Sequence, residues 1–340
     1  MILLMQLLLV GLLMLGMVSG CSYDYQQAHS LAPRPATTTN TVRIFKHGLE
    51  QTRVSLHPDR VVILDTPLLE DALALGVKPV GGPLKWLDWL QIDPLTAKDI
   101  IEVGGASLPI NIEKILALKP DLILGLEDNQ NIYPLLSHIA PTVLMHINSV
   151  RDWKSHFLQM ATVLGKTERA QKVIALYQSR LRSFKASMGA RLTSTRASII
   201  SVNNGIVRLF LRDQDSFSRG IFEDAGLAQQ ISPISGGTDH HLKIRSAWYL
   251  ISSEELLSVD YDVIFDFTFD KRISHSVSEH NQKTIKQIGS TSLGSKLKAV
   301  QHGQVYPVGI YWIGSGPISA NLALDDLFKY LLPLTEGHGQ

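Results

Sequence analysis

Apolar and polar positions divide this chain into three stretches of different texture. Residues 1–20 form an almost unbroken apolar run, interrupted by Gln6, which is long enough to span a bilayer or to act as the core of an export signal. Residues 22–41 are the reverse, rich in Ser, Gln, Thr, Asn and Pro, including Pro33, Pro35 and Thr37-Thr38-Thr39. Such a stretch buries too little apolar area to offset the entropy of ordering it, so a flexible tether is expected. From Arg60 onward, short β-branched runs alternate with apolar residues at helical spacing, the pattern of βα units around a mainly parallel sheet.

Val61-Val62-Ile63-Leu64 reads as the first buried strand. Leu68, Leu69, Ala72, Leu73 and Leu75 then recur at helical spacing, Gly76 suits the residue after a helix end, and Val77-Lys78-Pro79-Val80 starts the next strand. Asp121–Leu124 and Thr142–Met145 supply further strands, with a helical stretch around Tyr133–His138 between them. Trp153, Phe157, Met160 and Leu164, then Val173, Tyr177, Leu181, Phe184 and Met188, predict helix over 152–188, with Gly165 dividing or bending it. At about 1.5 Å per residue such a helix reaches from one lobe to another as a stiff spine. Beyond it, Ala197–Val202, Ile206–Leu211 and Val263–Phe267 read as strands. Phe217–Ala225 reads as a helix closed by Gly226, and Pro317–Leu332 as a last helix with proline in its first turn.

A weak internal repeat supports two similar lobes. Glu113 opens a short apolar-faced helix with Asp121 eight positions later entering Leu122-Ile123-Leu124, and Glu254, Asp262 and Val263-Ile264-Phe265 repeat the spacing. The expected fold is α/β: two lobes, each with a mainly parallel central sheet flanked by helices, joined by a long interlobe helix. The expected divisions are signal 1–20, tether 21–41, N-terminal lobe 42–150, helical spine 151–188 and C-terminal lobe 189–333.

At 340 residues and 45% apolar composition, each lobe can have its own core. A formal charge of +1 gives no reason to expect nucleic acid as partner. The single cysteine changes the reading of the N-terminus. Val18-Ser19-Gly20-Cys21 puts small residues directly before it and resembles the lipobox of bacterial lipoproteins, in which the Cys becomes the acylated N-terminus; an uncleaved membrane anchor is the alternative. With Cys21 acylated, no thiol remains for a disulfide or a nucleophile, and several acyl chains on one residue make a durable tether. Gly104-Gly105 and Gly236-Gly237 lack the further spacing of nucleotide loops, and Gly-x-Ser-x-Gly is absent. His240-His241, with Asp239, His275 and His280 nearby, offers metal-binding residue types. Adjacent side chains point apart, however, so a loop is the expected reading.

The ordered motifs Arg60-Val-Val-Ile-Leu-Asp, Leu75-Gly-Val-Lys-Pro-Val-Gly, Asn111-Ile-Glu-Lys-Ile-Leu-Ala-Leu-Lys-Pro-Asp-Leu-Ile and Ile139-Ala-Pro-Thr-Val carry a family resemblance. With Phe222-Glu-Asp-Ala-Gly-Leu and Tyr311-Trp-Ile-Gly-Ser-Gly-Pro-Ile-Ser-Ala-Asn-Leu-Ala-Leu-Asp-Asp-Leu, the chain resembles the helical-backbone substrate-binding proteins of iron-siderophore, haem and cobalamin ABC importers, the last motif especially the ferric-siderophore branch. The resemblance implies an exported, lipid-anchored, monomeric binding protein on a bacterial membrane, facing the periplasm. It also implies a ligand held in a shallow interlobe cleft, an iron(III)-siderophore whose metal is held by the chelator, and delivery to an ABC permease dimer in the cytoplasmic membrane. No cofactor and no catalysis are expected. Haem or cobalamin binding, or an exported hydrolase, are the alternatives.

A chelate of this kind needs aromatic walls and cationic donors for its oxygens. Arg208 and Arg212 flank Leu209-Phe210-Leu211, and Arg245 precedes Ser246-Ala247-Trp248-Tyr249, where the resemblance implies a cleft-facing loop. A solvated strand edge, or ion pairs with Asp213 or Asp215, is the competing reading of the first two. Trp86 follows the loop after the second strand, and Tyr311 and Trp312 precede the last helix; packing of the two lobes is the competing role for that pair. The resemblance further implies one permease-docking glutamate on each lobe, here Glu70 and Glu223.

Overall fold

The structure is a computed structural model that describes residues 42–46, 48, 50–85, 87–92, 94–105, 107–203, 206–209, 215–227, 249–251, 261–267 and 294–332. The expectations for the signal, the tether, Cys21 and the second copy of the repeated helix fall outside these residues.

In the N-terminal part, β3 (Val61–Ile63) forms where every side chain is apolar and buried on both faces, as the middle strand of a parallel sheet requires. The order is β5-β4-β3-β6-β7, all parallel, with β4 at Gly81–Gly82, β5 at Ile101–Glu102, β6 at Leu122–Leu126 and β7 at Thr142–Met145. The second strand lies just beyond the predicted 77–80 because Pro79 has no N–H to give the ladder; pairing begins where the Val80 amide donates to Val61 O. Helices α1 (Thr66–Ala74), α2 (Ile112–Leu118) and α3 (Tyr133–Ile139) connect the strands. The Asn111 side chain caps α2 by accepting from the Lys114 amide. An antiparallel hairpin, β1 (Val42–Lys46) with β2 (Gln51–Ser55), was not anticipated; Thr52 Oγ1 ties it to the sheet by donating to Thr142 O at 2.8 Å.

The predicted spine is two helices. Gly165, at φ +68°, ends α4 (Trp153–Leu164), and α5 (Thr167–Met188) starts afresh, since a left-handed residue cannot continue the ladder and glycine adopts it without a Cβ clash. The 22 residues of α5 span about 33 Å. Beyond it lies a second sheet of order β10-β9-β8-β11-β12, built from β8 (Ala197–Asn203), β9 (Ile206–Leu209), β10 (Tyr249–Ile251), β11 (Val263–Asp266) and β12 (Val305–Pro307). Strands β8, β11 and β12 are parallel, whereas β9 opposes both its neighbours, because only two residues join β8 to β9 and so short a connection closes a hairpin. Helix α6 (Phe217–Ala225), ended by Gly226 at φ +82°, and α7 (Pro317–Leu331) are the two longest helices that follow α5 in the chain among the described residues.

Helix α7 packs against α1, α4 and α5, and α4 packs against α1 and α5. Trp153 meets Phe157 and Tyr177, and Phe222, Phe265 and Trp312 form a second ring cluster; all six are fully buried. Among the described residues no helix is long and apolar enough to cross a membrane.

Candidate ligand-binding crevice

Ligands of open parallel sheets sit beyond the carboxyl ends of the strands, at the point where the chain reverses its direction of winding. In the first sheet the chain runs from β3 outward to β5 and returns to β6 on the other flank, which puts that point between β3 and β6. There the Asp65 carboxylate accepts from the Leu126 amide and from Asn129 Nδ2, both at 2.8 Å. Beside it, His146 after β7 pairs with Glu127 after β6 at 2.7 Å, both partly open to solvent.

Glu102 organises the adjoining loops. Its carboxylate accepts from the Leu84 amide at 2.8 Å and from the Gly104 amide at 2.7 Å, so one side chain holds the segments after β4 and after β5. Glu102→Ala is expected to leave two part-buried donors unpaired and cost about 1–3 kcal/mol, with ligand affinity falling alongside. Denaturant melts and ligand titration of the variant check this; unchanged values for both would show that the loops hold themselves.

The two lobes meet at this end. The 3-10 turn Leu87–Leu90, immediately after Trp86, packs against the turn Ile310–Ile313 that follows β12. The structure therefore brings together two segments that were singled out separately in the sequence. It does not give Tyr311 and Trp312 the expected role of open aromatic walls. Both rings are buried, and Tyr311 Oη and Trp312 Nε1 each donate to Asp326 Oδ2 on α7 at 2.8 Å. Burial pushes the Asp326 carboxyl up to about 6 against the pull of those two bonds. Trp312 also stacks on Phe265 at 5.2 Å between centroids. The pair supports the loop from beneath, which is the packing role.

Neither glutamate is a free surface charge. Glu70 is almost fully buried, its carboxylate accepting from the Ser319 amide at 2.6 Å and from Ser319 Oγ at 3.1 Å, so it is no exposed docking charge. No residue of helix α1 is exposed, and Leu68, Leu69 and Ala72 are buried as deeply as Glu70, so no solvated face is left for it. Glu223 keeps 26% of its side chain exposed, yet both oxygens are engaged, one by Arg219 at 2.9 Å and the other by Arg151. Each glutamate reaches a partner outside its own lobe, Glu70 on α7 and Glu223 in the segment leading into α4.

Arg208 stands in β9 opposite Ser201 and Leu250, an interior strand rather than a solvated edge. Trp86, Arg212 and Arg245 lie outside the described residues, as do His240, His241, His275 and His280. Sequence reasoning missed Glu102, Asp65 and the buried pair Asp71–His156.

The sequence pattern of the family described as "Periplasmic binding protein" matches residues 61–309. This chain belongs to that family. Among its relatives is a Bacillus subtilis family member named "Probable siderophore-binding lipoprotein YfiY", 30% identical over 96% of this chain and 97% of its own. Another is the "Fe(3+)-citrate-binding protein YfmC" of the same organism, 29% identical over 85% of this chain and 84% of its own. Among solved structures, Staphylococcus aureus SirA complexed with staphyloferrin B is similar at a TM-score of 0.64 and 25% identity, covering 85% of this chain and 98% of SirA.

Proposed function

We propose that the protein captures a ferric siderophore in the crevice between the carboxyl edges of its two sheets and delivers it to an ABC permease, without chemical transformation of the ligand. The observation that carries this reading is the convergence of the loops after β4 and β12 at one end of the molecule, in a chain with one relative over 96% of its length named for a siderophore and another over 85% named for ferric citrate. Arg208, Arg212, Arg245 and Trp86 are the proposed ligand contacts, because guanidinium forks suit the oxyanions of citrate-type or hydroxamate chelators and an indole suits their organic shell. Cys21 is the proposed acylation site, a reading supported by the lipoprotein relative; Cys21→Ser is expected to abolish acylation and leave soluble protein or unprocessed precursor, and a processed, membrane-bound variant would point to another anchor.

The test is titration of the soluble mature chain with ferric citrate, ferric hydroxamates, ferric catecholates, haem and cobalamin, read by tryptophan quenching. Saturable binding of a ferric chelate is expected, and truncation of a contacting arginine to alanine should weaken it roughly ten- to a hundredfold. Binding of haem or cobalamin alone would replace the proposed ligand, and binding of none would remove the function.

A further inference from the structure

The contact between α1, α4 and α7 holds ionisable groups that the ligand site does not use. Helix α7 starts at Pro317 after Gly316, which has no side chain to cap it, so the first amides of a 15-residue helix need acceptors from elsewhere. Glu70, on α1 of the other lobe, supplies one: its carboxyl group accepts from the Ser319 amide and hydroxyl. One residue on, Asp71 Oδ2 meets His156 Nδ1 of α4 at 2.8 Å, and His156 Nε2 meets Ser315 O at 2.6 Å, in the loop just before α7. Because Ser315 O can only accept, His156 carries a proton on Nε2, and one further proton is shared between Nδ1 and Asp71. Asp71 and His156 are as fully buried as Glu70. Gly316 leaves the room for this, since a Cβ there would lie 2.7 Å from the Glu70 carboxyl carbon.

We propose that Glu70, Asp71 and His156 form an interlobe latch, in which Glu70 caps the last helix in trans and the Asp71–His156 pair holds the loop before it, so that the two lobes keep one separation and the crevice is preformed. These are positioning residues; none needs to touch ligand. Hydrogen bonds are short-ranged and directional, so an acceptor on one lobe seated on donors of the other defines a register that apolar packing alone leaves free to slide. A preformed crevice binds without the cost of ordering the lobes first.

The latch rests on the reading of the interlobe crevice as the ligand site, and the experiment separates the two. In a Cys21→Ser background, spin labels are placed at the exposed positions Leu116 and Gln301 through Leu116→Cys and Gln301→Cys, and the interlobe distance distribution is measured without ligand. A narrow distribution is expected for the parent. Glu70→Ala is expected to broaden it and weaken ferric-chelate binding roughly tenfold, while Glu70→Gln, which retains an acceptor for the Ser319 amide, restores both. Gly316→Ala, which keeps every polar group but crowds Glu70, is expected to broaden the distribution too, and carries the test if Glu70→Ala does not fold. Unchanged distributions in Glu70→Ala and Gly316→Ala would overturn the latch. Broadening in a protein that binds no ferric chelate would leave the latch standing and overturn the function.

Discussion

Trp312→Ala is expected to destabilise the protein by about 3–5 kcal/mol, the cost of emptying a large, fully buried aromatic site. Trp312 contacts Phe222 and Phe265 and donates to Asp326, so truncation opens a cavity among rings contributed by α6 and β11. It also leaves Asp326 with Tyr311 as its one remaining side-chain donor among the bonds described. Trp312→Phe keeps most of the ring packing and loses the N–H bond, and is expected to cost less, about 1–3 kcal/mol. Urea or guanidinium melts of the three proteins measure the series. A Trp312→Ala midpoint equal to that of the parent would mean that the ring is not part of the core. Because the same turn packs on Leu87–Leu90, ligand affinity is expected to fall in Trp312→Ala even under conditions where the variant remains folded.

Stability is expected to fall as pH rises from about 4.5 to 7. Burial pushes the Glu70 carboxyl up to about 7, against the pull of its bonds to Ser319 and with a further push from the Asp71 charge. Burial likewise pushes Asp71 up to about 6, against the pull of His156. For His156, burial works to lower the pKa, but the Asp71 charge and the bonds to Asp71 and Ser315 outweigh it and hold it above the ordinary histidine value. In each case the native state keeps a proton that the unfolded chain has already released. Stability is therefore complete below the unfolded pKa and is lost as pH passes through the folded one. For Glu70 alone, a rise from 4.5 to about 7 corresponds to about 3 kcal/mol. Denaturant midpoints measured across this range, for the parent and for Glu70→Gln, check the sign and the source. The parent curve should slope downward with pH and the Glu70→Gln curve should be flatter; identical slopes would place the titration elsewhere.

Much of the architecture was legible in the chain because strand and helix periodicity are local properties. Val61–Ile63, Thr142–Met145, Phe217–Ala225 and Pro317–Leu331 sit where the apolar pattern puts them, since a doubly buried strand needs a continuous apolar run and a packed helix an apolar stripe. The strand at Gly81–Gly82 and the hairpin over 42–55 were harder to see. One has almost no side chains to signal it, and the other is held through contacts such as Thr52 to Thr142, ninety positions away. One clue went unread: after its first residue, Thr66–Ala74 is apolar apart from Glu70 and Asp71. A helix without a solvated face must bury its acids against partners.

The sequence by itself determined the alternation of strands and helices, the break available at Gly165, the family motifs and the presence of two lobes, because each depends on residues close together in the chain. Only the tertiary structure decided what the singled-out side chains do. The apolar setting of Glu70 signals burial but not its partner, and Tyr311 carries no local mark distinguishing an exposed ligand group from a buried one. Their partners, Ser319 at 249 positions' distance and Asp326 on the last helix, become neighbours only when the helices pack together. Burial then turns a solvated carboxylate into a cap and an aromatic wall into a support, since a polar group removed from water is stable only where the fold supplies its hydrogen bonds.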